Sequence, residues 1–301
     1  MSEIYFVGVD GGGSKTSYVL MDRCHRIVKR FQNGPSTYDV IPDDIFRQTI
    51  SEGLSHVMPK EGDVVSAFLG IGGVSGKEDE NKIVHMIKEG HLFQKGTMIR
   101  AGNDIYNAFY STFTDSGICL IVGTGCVIYG KEPGGRELRL SGYGYLEGDK
   151  GSGYDISISA LRILGKMFDG VLKFDDDFRC FASHIGVFEK TDLIHYLGSS
   201  TRSQIASNAK FLLRFDENEY IQQIMESGAK NFSIYVDALL RQLPQTERKM
   251  TIIGSCGLCP VYLEKILKKV HSLHPEIEFI PNLHEADYGA AYYASLLYER
   301  T

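Results

Sequence analysis

The strongest constraint on the fold lies near the amino-terminal end. Ile4-Tyr5-Phe6-Val7-Gly8-Val9 is an apolar run rich in strand formers, and Asp10 ends it. Gly11-Gly12-Gly13-Ser14-Lys15-Thr16 follows, and Ser17-Tyr18-Val19-Leu20-Met21-Asp22 reads as a second strand. Strand, glycine turn and strand make a hairpin, whereas a phosphate-binding P-loop opens a helix. The spacing agrees, because G-x-x-x-x-G-K-[ST] needs glycine immediately before the lysine and Ser14 intervenes here. No G-x-G-x-x-G follows a strand, so the dinucleotide fingerprint is missing too. Two-residue hairpins need one or two glycines. Three in a row with Ser-Lys-Thr behind them predict a turn whose backbone N–H groups approach an anion, with glycine supplying φ > 0 and close approach.

That turn belongs to a wider pattern. Glycine makes up 33 of 301 residues, and 11 of the 33 fall between Gly117 and Gly153, so the excess reflects particular turns. The length suggests two domains, with a single large α/β domain as the alternative. With 32 basic and 38 acidic residues and no basic run longer than Lys268-Lys269, nothing suggests a surface for nucleic acid or anionic membrane. The first apolar run is too short for a signal core or a membrane span. Six cysteines in 301 residues are no disulfide scaffold, so reduced thiols in a cytoplasmic protein are expected.

Further along, a third strand is predicted at about residues 27–31. Residues 43–58 place Ile45, Ile50, Leu54 and Val57 at spacings of three to five, the pattern of an amphipathic helix. A strand over 64–71 enters Gly72-Gly73-Val74-Ser75-Gly76, a helix covers 80–90, and a short strand over 97–101 runs into Gly102-Asn103-Asp104. A helix over 105–113 follows, capped by that Asn or Asp. The pattern then restarts with a strand over 118–122, the turn Gly123-Thr124-Gly125-Cys126 and a strand over 127–130. Residues 156–241 are mostly helical in pattern. A strand over 251–253 leads into Gly254-Ser255-Cys256-Gly257 and a helix over 260–273 with proline in its first turn. A strand over 277–280 and a small-residue helix over 286–298 close the chain. Two glycine hairpins, each opening an α/β half, predict an internal duplication. One domain would be residues 1–113 plus 286–301 and the other 114–285.

The turns suggest chemistry. Two anion-binding turns, one per half, would hold successive phosphates of a nucleotide in a cleft between the domains. Asp10 would hold Mg²⁺ through water, since magnesium keeps most of its hydration and accepts few carboxylates. Gly254-Ser255-Cys256-Gly257 would lie flat against a nucleoside. Asp104, following a strand at a helix start, is placed either to accept a proton from a hydroxyl or merely to cap the helix. Cys256-Gly257-Leu258-Cys259 resembles a redox motif but lies late in a large chain. With His271 and His274 it misses zinc spacing, because eleven residues intervene. Asp175-Asp176-Asp177 reads as a solvated loop, and Tyr292 and Tyr293 read as packing residues.

The ordered set D-G-G-G-S-K-T, Asn103-Asp104, Gly123-Thr124-Gly125-Cys126, Gly142-Tyr143-Gly144, Gly148-Asp149-Lys150-Gly151-Ser152-Gly153 and Gly254-Ser255-Cys256-Gly257 resembles the BadF/BadG/BcrA/BcrD ATPase family. Within it the chain is most similar to the N-acetylglucosamine kinases. The resemblance implies an α/β fold of two duplicated ribonuclease H-like domains, of the actin–hexokinase–Hsp70 type, closing over ATP and Mg²⁺. It implies nucleotide contacts from Gly11, Gly12, Gly13, Ser14, Lys15, Thr16, Gly123, Thr124, Gly125, Gly254, Ser255 and Gly257, and a metal role for Asp10. Asp104 becomes the catalytic base, and Ser36, Thr37, Tyr38, Asn103, Tyr143, Gly144 and Asp149 face the sugar. The implied reaction is phosphorylation of the 6-hydroxyl of an amino sugar: N-acetylglucosamine, N-acetylmuramic acid or glucosamine. A homodimer is common among such relatives. Relatives often carry Asn at position 38, Ser at 126, Trp at 143 and Glu at 150, and the first and third departures bear on sugar identity. The alternative is the ATPase activator of a 2-hydroxyacyl-CoA dehydratase, which shares the fold but holds an iron–sulfur cluster with a cysteine pair that has no convincing match here.

Overall fold

A computed structural model describes residues 3–144 and 148–300. The chain divides into two compact units, Met1–Thr114 with Asn282–Thr301, and Asp115–Pro281. The first opens with β1 (Ile4–Gly11), β2 (Thr16–Asp22) and β3 (Ile27–Asn33), successive antiparallel neighbours. Helix α1 (Asp43–Val57) leads to β4 (Asp63–Ile71), and α2 (Lys77–Glu89) leads to β5 (Met98–Asn103). These two strands join in parallel, giving a sheet ordered β3-β2-β1-β4-β5. Helix α3 (Ile105–Tyr110) then leaves the end of β5.

The second unit repeats this topology. Strands β6 (Gly117–Val122), β7 (Cys126–Lys131) and β8 (Glu137–Ser141) form the antiparallel part. Six helices follow: α4 (Gly153–Phe168), α5 (Asp176–His184), α6 (Lys190–Ser199), α7 (Arg202–Ser207), α8 (Ala209–Leu212) and α9 (Glu219–Gln242). Strand β9 (Lys249–Ile253), helix α10 (Pro260–Leu273) and strand β10 (Glu278–Phe279) complete the sheet in the order β10-β9-β6-β7-β8. Read from β8, each strand pairs as its counterpart in the first unit does, so the duplication is a property of the fold. The final helix α11 (Ala286–Glu299) belongs to the first unit.

Alternation along the strands decides the layers. Val7 and Val9 of β1 and Tyr18 and Leu20 of β2 join Phe46, Ile50 and Leu54 of α1 in one core cluster. Phe6, Val19 and Met21 join Phe68 of β4 and Ala290, Ala291 and Ala294 of α11 in another. Helices therefore cover both faces of the first sheet. On α1 the buried positions Phe46, Ile50, Leu54 and Val57 form one helical stripe. Helix α11 sits so close that a methyl group built on Gly8 would lie 2.1 Å from Ala291 N. In the second unit Ile118, Leu120, Ile128 and Ile252 pack with α4, α9 and α10 in one large core.

The structure corrects several sequence expectations. Strand β8 lay unread among glycines, charges and only two apolar residues, Leu138 and Leu140; its turn is built from left-handed Gly134 and Gly135. Helix α3 stops at Tyr110, short of the expected Phe113. Strand β10 spans only Glu278–Phe279. Strand β5 extends through Asn103, which places Asp104 at the strand end.

Candidate active site

In the first unit the loop Gly12-Gly13-Ser14-Lys15 joins β1 to β2, with Gly12 N donating to Lys15 O at 3.0 Å. None of Gly11, Gly12 and Gly13 has a left-handed backbone, so the expected φ > 0 is absent from this turn. Close packing is what excludes a side chain at Gly11: a methyl there would fall 2.4 Å from Ser36 Oγ and 2.5 Å from Ile71 Cδ1. Gly13, Ser14 and Lys15 are exposed. Thr16 is wholly buried; its hydroxyl donates to Gly34 O at 2.7 Å and lies 2.7 Å from Ser36 Oγ. Ser36 is wholly buried as well. The Thr16 and Ser36 hydroxyls thus tie the loop to the 34–36 segment.

Backbone bonds then stitch three segments together. Ser36 N donates to Gly12 O at 3.0 Å, Tyr38 N to Gly72 O at 2.9 Å and Gly72 N to Gly11 O at 2.7 Å. Asn103 commits its amide to this frame, donating through Nδ2 to Val74 O at 2.8 Å and accepting from Ile105 N at 3.1 Å. It caps α3, while Asp104 makes no side-chain cap. Tyr38 turns its ring edge-on to Phe46 with Lys82 Nζ 5.5 Å from the ring centroid.

Asp10 is the penultimate residue of β1, half-buried between buried Val9 and Gly11. Asn107 Nδ2 donates to Asp10 Oδ1 at 2.7 Å and to Gly70 O at 3.0 Å, and Asn107 is wholly buried. Burial pushes the Asp10 carboxyl up to about 7, the Asp104 and Asp287 carboxylates push the same way, and the Asn107 hydrogen bond and Lys15 oppose them. Sequence reasoning missed Asn107. Its signal was a single polar amide inside Ile105-Tyr106-Asn107-Ala108-Phe109-Tyr110.

In the second unit the two glycine turns lie backbone against backbone. Gly257 N donates to Val122 O at 2.9 Å, and a methyl on left-handed Gly254 would strike that same carbonyl at 2.5 Å. The 123–126 turn is clamped from beneath: Gly153 N donates to Gly123 O at 2.8 Å and Tyr154 N to Thr124 O at 3.2 Å. Asp149 is 5% exposed, accepts from Cys126 N at 3.3 Å and pairs with Arg202 Nη2. The Asp149 carboxylate thus braces the 123–126 turn. Arg202 escaped the sequence reading because it lies 53 residues away on a short helix. Thr124 and Ser255 are exposed, as is Tyr143, whereas Gly257 is buried. Gly144 is left-handed. The six cysteines are free, and burial pushes Cys126 and Cys256 up to about 12.

A family model describing the BadF/BadG/BcrA/BcrD ATPase family matches residues 7–294. The chain belongs to that family.

The chain is 29% identical to the N-acetylmuramic acid/N-acetylglucosamine kinase of Clostridium acetobutylicum over 95% of this chain and 96% of that one. It is 26% identical to the N-acetyl-D-glucosamine kinase of Dictyostelium discoideum over 97% and 98%. A solved structure from Chromobacterium violaceum, described as an N-acetylglucosamine kinase, superposes with a TM-score of 0.75 at 19% identity over 97% and 98% of the two chains. The ROK family glucokinase of Streptomyces griseus, solved with glucose and AMPPNP, gives 0.59 at 13% over 97% and 98%. These likenesses identify the fold as a duplicated actin/hexokinase-type ATPase fold. Among the described residues no helix is long and apolar enough to cross a membrane.

The first unit's Asp10 fits a hydrated magnesium ion. Gly123 has nothing within 4 Å of where a side chain would stand, while its N–H donates to Gly125 O at 2.9 Å. Among the described residues no group of three or more His, Cys, Asp or Glu forms a metal cage. Magnesium requires none, since one or two carboxylates, phosphates and water complete its shell. Asp10, in the field of Asp104 and Asp287, offers a carboxylate whose charge a cation would stabilise.

Proposed function

We propose that this BadF-type ATPase is an ATP-dependent sugar kinase that phosphorylates the 6-hydroxyl of an amino sugar, N-acetylglucosamine or a relative such as N-acetylmuramic acid or glucosamine. The observation that carries the reading is the meeting of Asp104, Thr37 and the 11–15 loop at one glycine turn, where Asp104 Oδ2 and Gly11 O lie 3.3 and 3.4 Å from the point a Gly72 methyl would occupy. A proton acceptor thus stands beside an exposed glycine loop suited to phosphate. The two named relatives supply the sugar class.

On this reading residues 1–113 plus 286–301 and residues 114–285 are the two ATPase-fold domains. Gly11 to Gly13, Ser14 and Lys15 serve one phosphate turn, with Thr16 behind them. Gly123, Thr124 and Gly125 serve the second, and Gly254, Ser255 and Gly257 the nucleoside. Thr37, Tyr38, Tyr143 and Gly144 serve the sugar, supported by Ser36, Asn103 and Asp149. Magnesium, held through Asp10, would neutralise phosphate charge. The acceptor oxygen bonds to the γ-phosphorus while the bond from that phosphorus to the β–γ bridging oxygen breaks. The hydroxyl proton passes to Asp104, and the electron pair leaves with ADP. A positioned base contributes roughly 10²–10⁴ in rate.

The test is coupled ADP release across a panel of hexosamines, with phosphorus NMR of the product to locate the ester. N-acetylated hexosamines should stimulate release and yield a 6-phosphate. Asp104→Asn should lower turnover by at least about 10²-fold while ATP still binds. ADP release that no sugar stimulates, or full turnover by Asp104→Asn, would overturn the reading.

A further inference from the structure

Cys256 and Cys259 take no part in the proposed phosphoryl transfer, yet the fold brings these two thiols together. Cys259 N donates to Cys256 O at 3.2 Å, and Leu258 N donates to Gly254 O at 3.1 Å. The first of these bonds closes a four-residue turn, which holds its end Cα atoms within about 7 Å of each other. Disulfides span Cα separations of roughly 4.4–6.8 Å, so the turn already brings the two residues to bridging range. Their side chains share one environment as well. Cys256 belongs to the core of the second unit, and Cys259 packs against that core. Burial pushes the Cys256 thiol up to about 12, and the neighbouring Cys259 thiol pushes the same way.

The two thiols are unequal. Cys256 is 6% exposed, whereas Cys259 is half-buried at the start of α10, where its side chain makes no capping hydrogen bond. A thiol-reactive molecule therefore meets Cys259 first, and Cys256 acts from within on what Cys259 has become. The turn itself can yield on one side only. A methyl on Gly257 would lie 2.8 Å from both Ile252 Cγ2 and Val122 Cβ, and Gly257 N donates to Val122 O at 2.9 Å. Gly257 is thus fixed on β6 and β9, while Ser255 and Leu258 are exposed. Drawing the two cysteine Cβ atoms to about 3.8 Å displaces that open side, where the kinase reading lays the nucleoside.

We infer that Cys256 and Cys259 form a reversible disulfide with a low-molecular-weight disulfide as oxidant, and that this bond weakens nucleotide binding at the 254–257 turn. The Cys259 thiolate attacks one sulfur of the oxidant, which releases one thiol and leaves a mixed disulfide on Cys259. The Cys256 thiolate then attacks Cys259 Sγ and expels the second thiol. The protein dithiol is oxidised to a disulfide, and the oxidant takes up its electrons and protons to become two thiols. The bond stands on the geometry of the turn, and its effect on nucleotide rests on the kinase reading above.

The test uses the full chain carrying Cys24→Ser and Cys180→Ser, which removes the exposed thiols. Glutathione disulfide is the oxidant, and mass spectrometry of the peptide holding residues 256–259 reports the bond. That peptide should be lighter by two hydrogens and be restored by dithiothreitol. The oxidised protein should keep its melting temperature while its ATP dissociation constant rises at least about fivefold. Linkage requires the reciprocal effect: saturating ATP should lower the disulfide-to-dithiol ratio in a glutathione buffer by the same factor. Cys259→Ser on this background should bind ATP as the reduced protein does and ignore the oxidant. Glutathione that stays on Cys259 with no internal bond would overturn the inference. So would an internal bond that leaves ATP affinity unchanged, and both results leave the kinase reading intact. A reduced protein that binds no ATP would overturn the nucleotide reading and the proposed coupling with it.

Discussion

The identity of a residue in this protein often matters less than what shares its space. Asp149 looks like a ligand contact in the sequence, but in the fold it is a buried carboxylate joined to Cys126 N and Arg202. Removing the arginine would leave that carboxylate without its counter-charge. Arg202 is about one-third exposed, which screens part of the loss. Arg202→Gln should therefore cost about 2 kcal/mol, below the range for fully buried pairs. It should also weaken ATP binding by loosening the 123–126 turn, whereas Arg202→Lys should recover part of both. Thermal melts and nucleotide titrations check this, and an unchanged melting temperature would show that the pair does not hold the turn. Asn107 presents the same logic from the opposite side. Its Nδ2 serves Asp10 and the Gly70 carbonyl, so Asn107→Ala should leave both unsupported and cost about 1–3 kcal/mol, measured by denaturant unfolding.

Among the elements, the contact between β1 and α11 is the tightest joint of the first unit. Helix α11 presents Gly289, Ala290, Ala291 and Ala294, all buried, and small residues let it approach β1 at Gly8. Gly8→Ala would force its methyl into the backbone of α11, which cannot yield like a flexible side chain. The expected cost is about 3 kcal/mol, the upper range for overpacking. Gly34→Ala, with nothing within 4 Å, should be nearly neutral. Equal melting temperatures for these two variants would mean that α11 does not seat as described. Helix α11 was legible as an element because its alanines and glycine read as helix. The duplication assigned it to the first half, but its seat on β1 at Gly8 was not legible, since nothing local says which strand a carboxy-terminal helix packs on. The opposite failure occurs at β8, where Glu137, Arg139 and two leucines carry too weak an alternation to be read before β7 is known to lie beside them.

Across the whole molecule, burial of titratable groups sets a response to alkali. Burial holds the thiols of Cys126 and Cys256 near 12 against an ordinary 9.0, and it raises Cys119, Tyr18 and Tyr262 as well. Above about pH 9 the unfolded chain sheds protons that the folded chain keeps, so the unfolded state binds fewer protons and stability falls as pH rises. Melting temperatures should decline steadily between pH 9 and the onset of folded-state ionisation near 12. In the native protein at neutral pH, Cys24 and Cys180 are exposed and should be alkylated first, with Cys119, Cys126 and Cys256 protected until unfolding. Rapid labelling of Cys256 would contradict its burial beneath the 254–257 turn.

The sequence alone determined the repeated plan of this molecule: glycine hairpins opening two α/β halves, the acid after the fifth strand, and the ordered motifs that mark the family. Those features are local, written in alternation, helical stripes and turn residues a few positions apart. Only the tertiary structure decided which motif residues stay available. Thr16, Ser36 and Asp149 are buried and bonded within the fold, while Asn107 supports Asp10 in the first unit and Arg202 supports Asp149 in the second, each from a segment with no motif of its own. The physical reason is that a polar side chain acts on whatever lies within about 3 Å of it. In a folded chain that neighbour can be 97 residues distant, as Asn107 is from Asp10. Spacing along the sequence carries no record of such an approach.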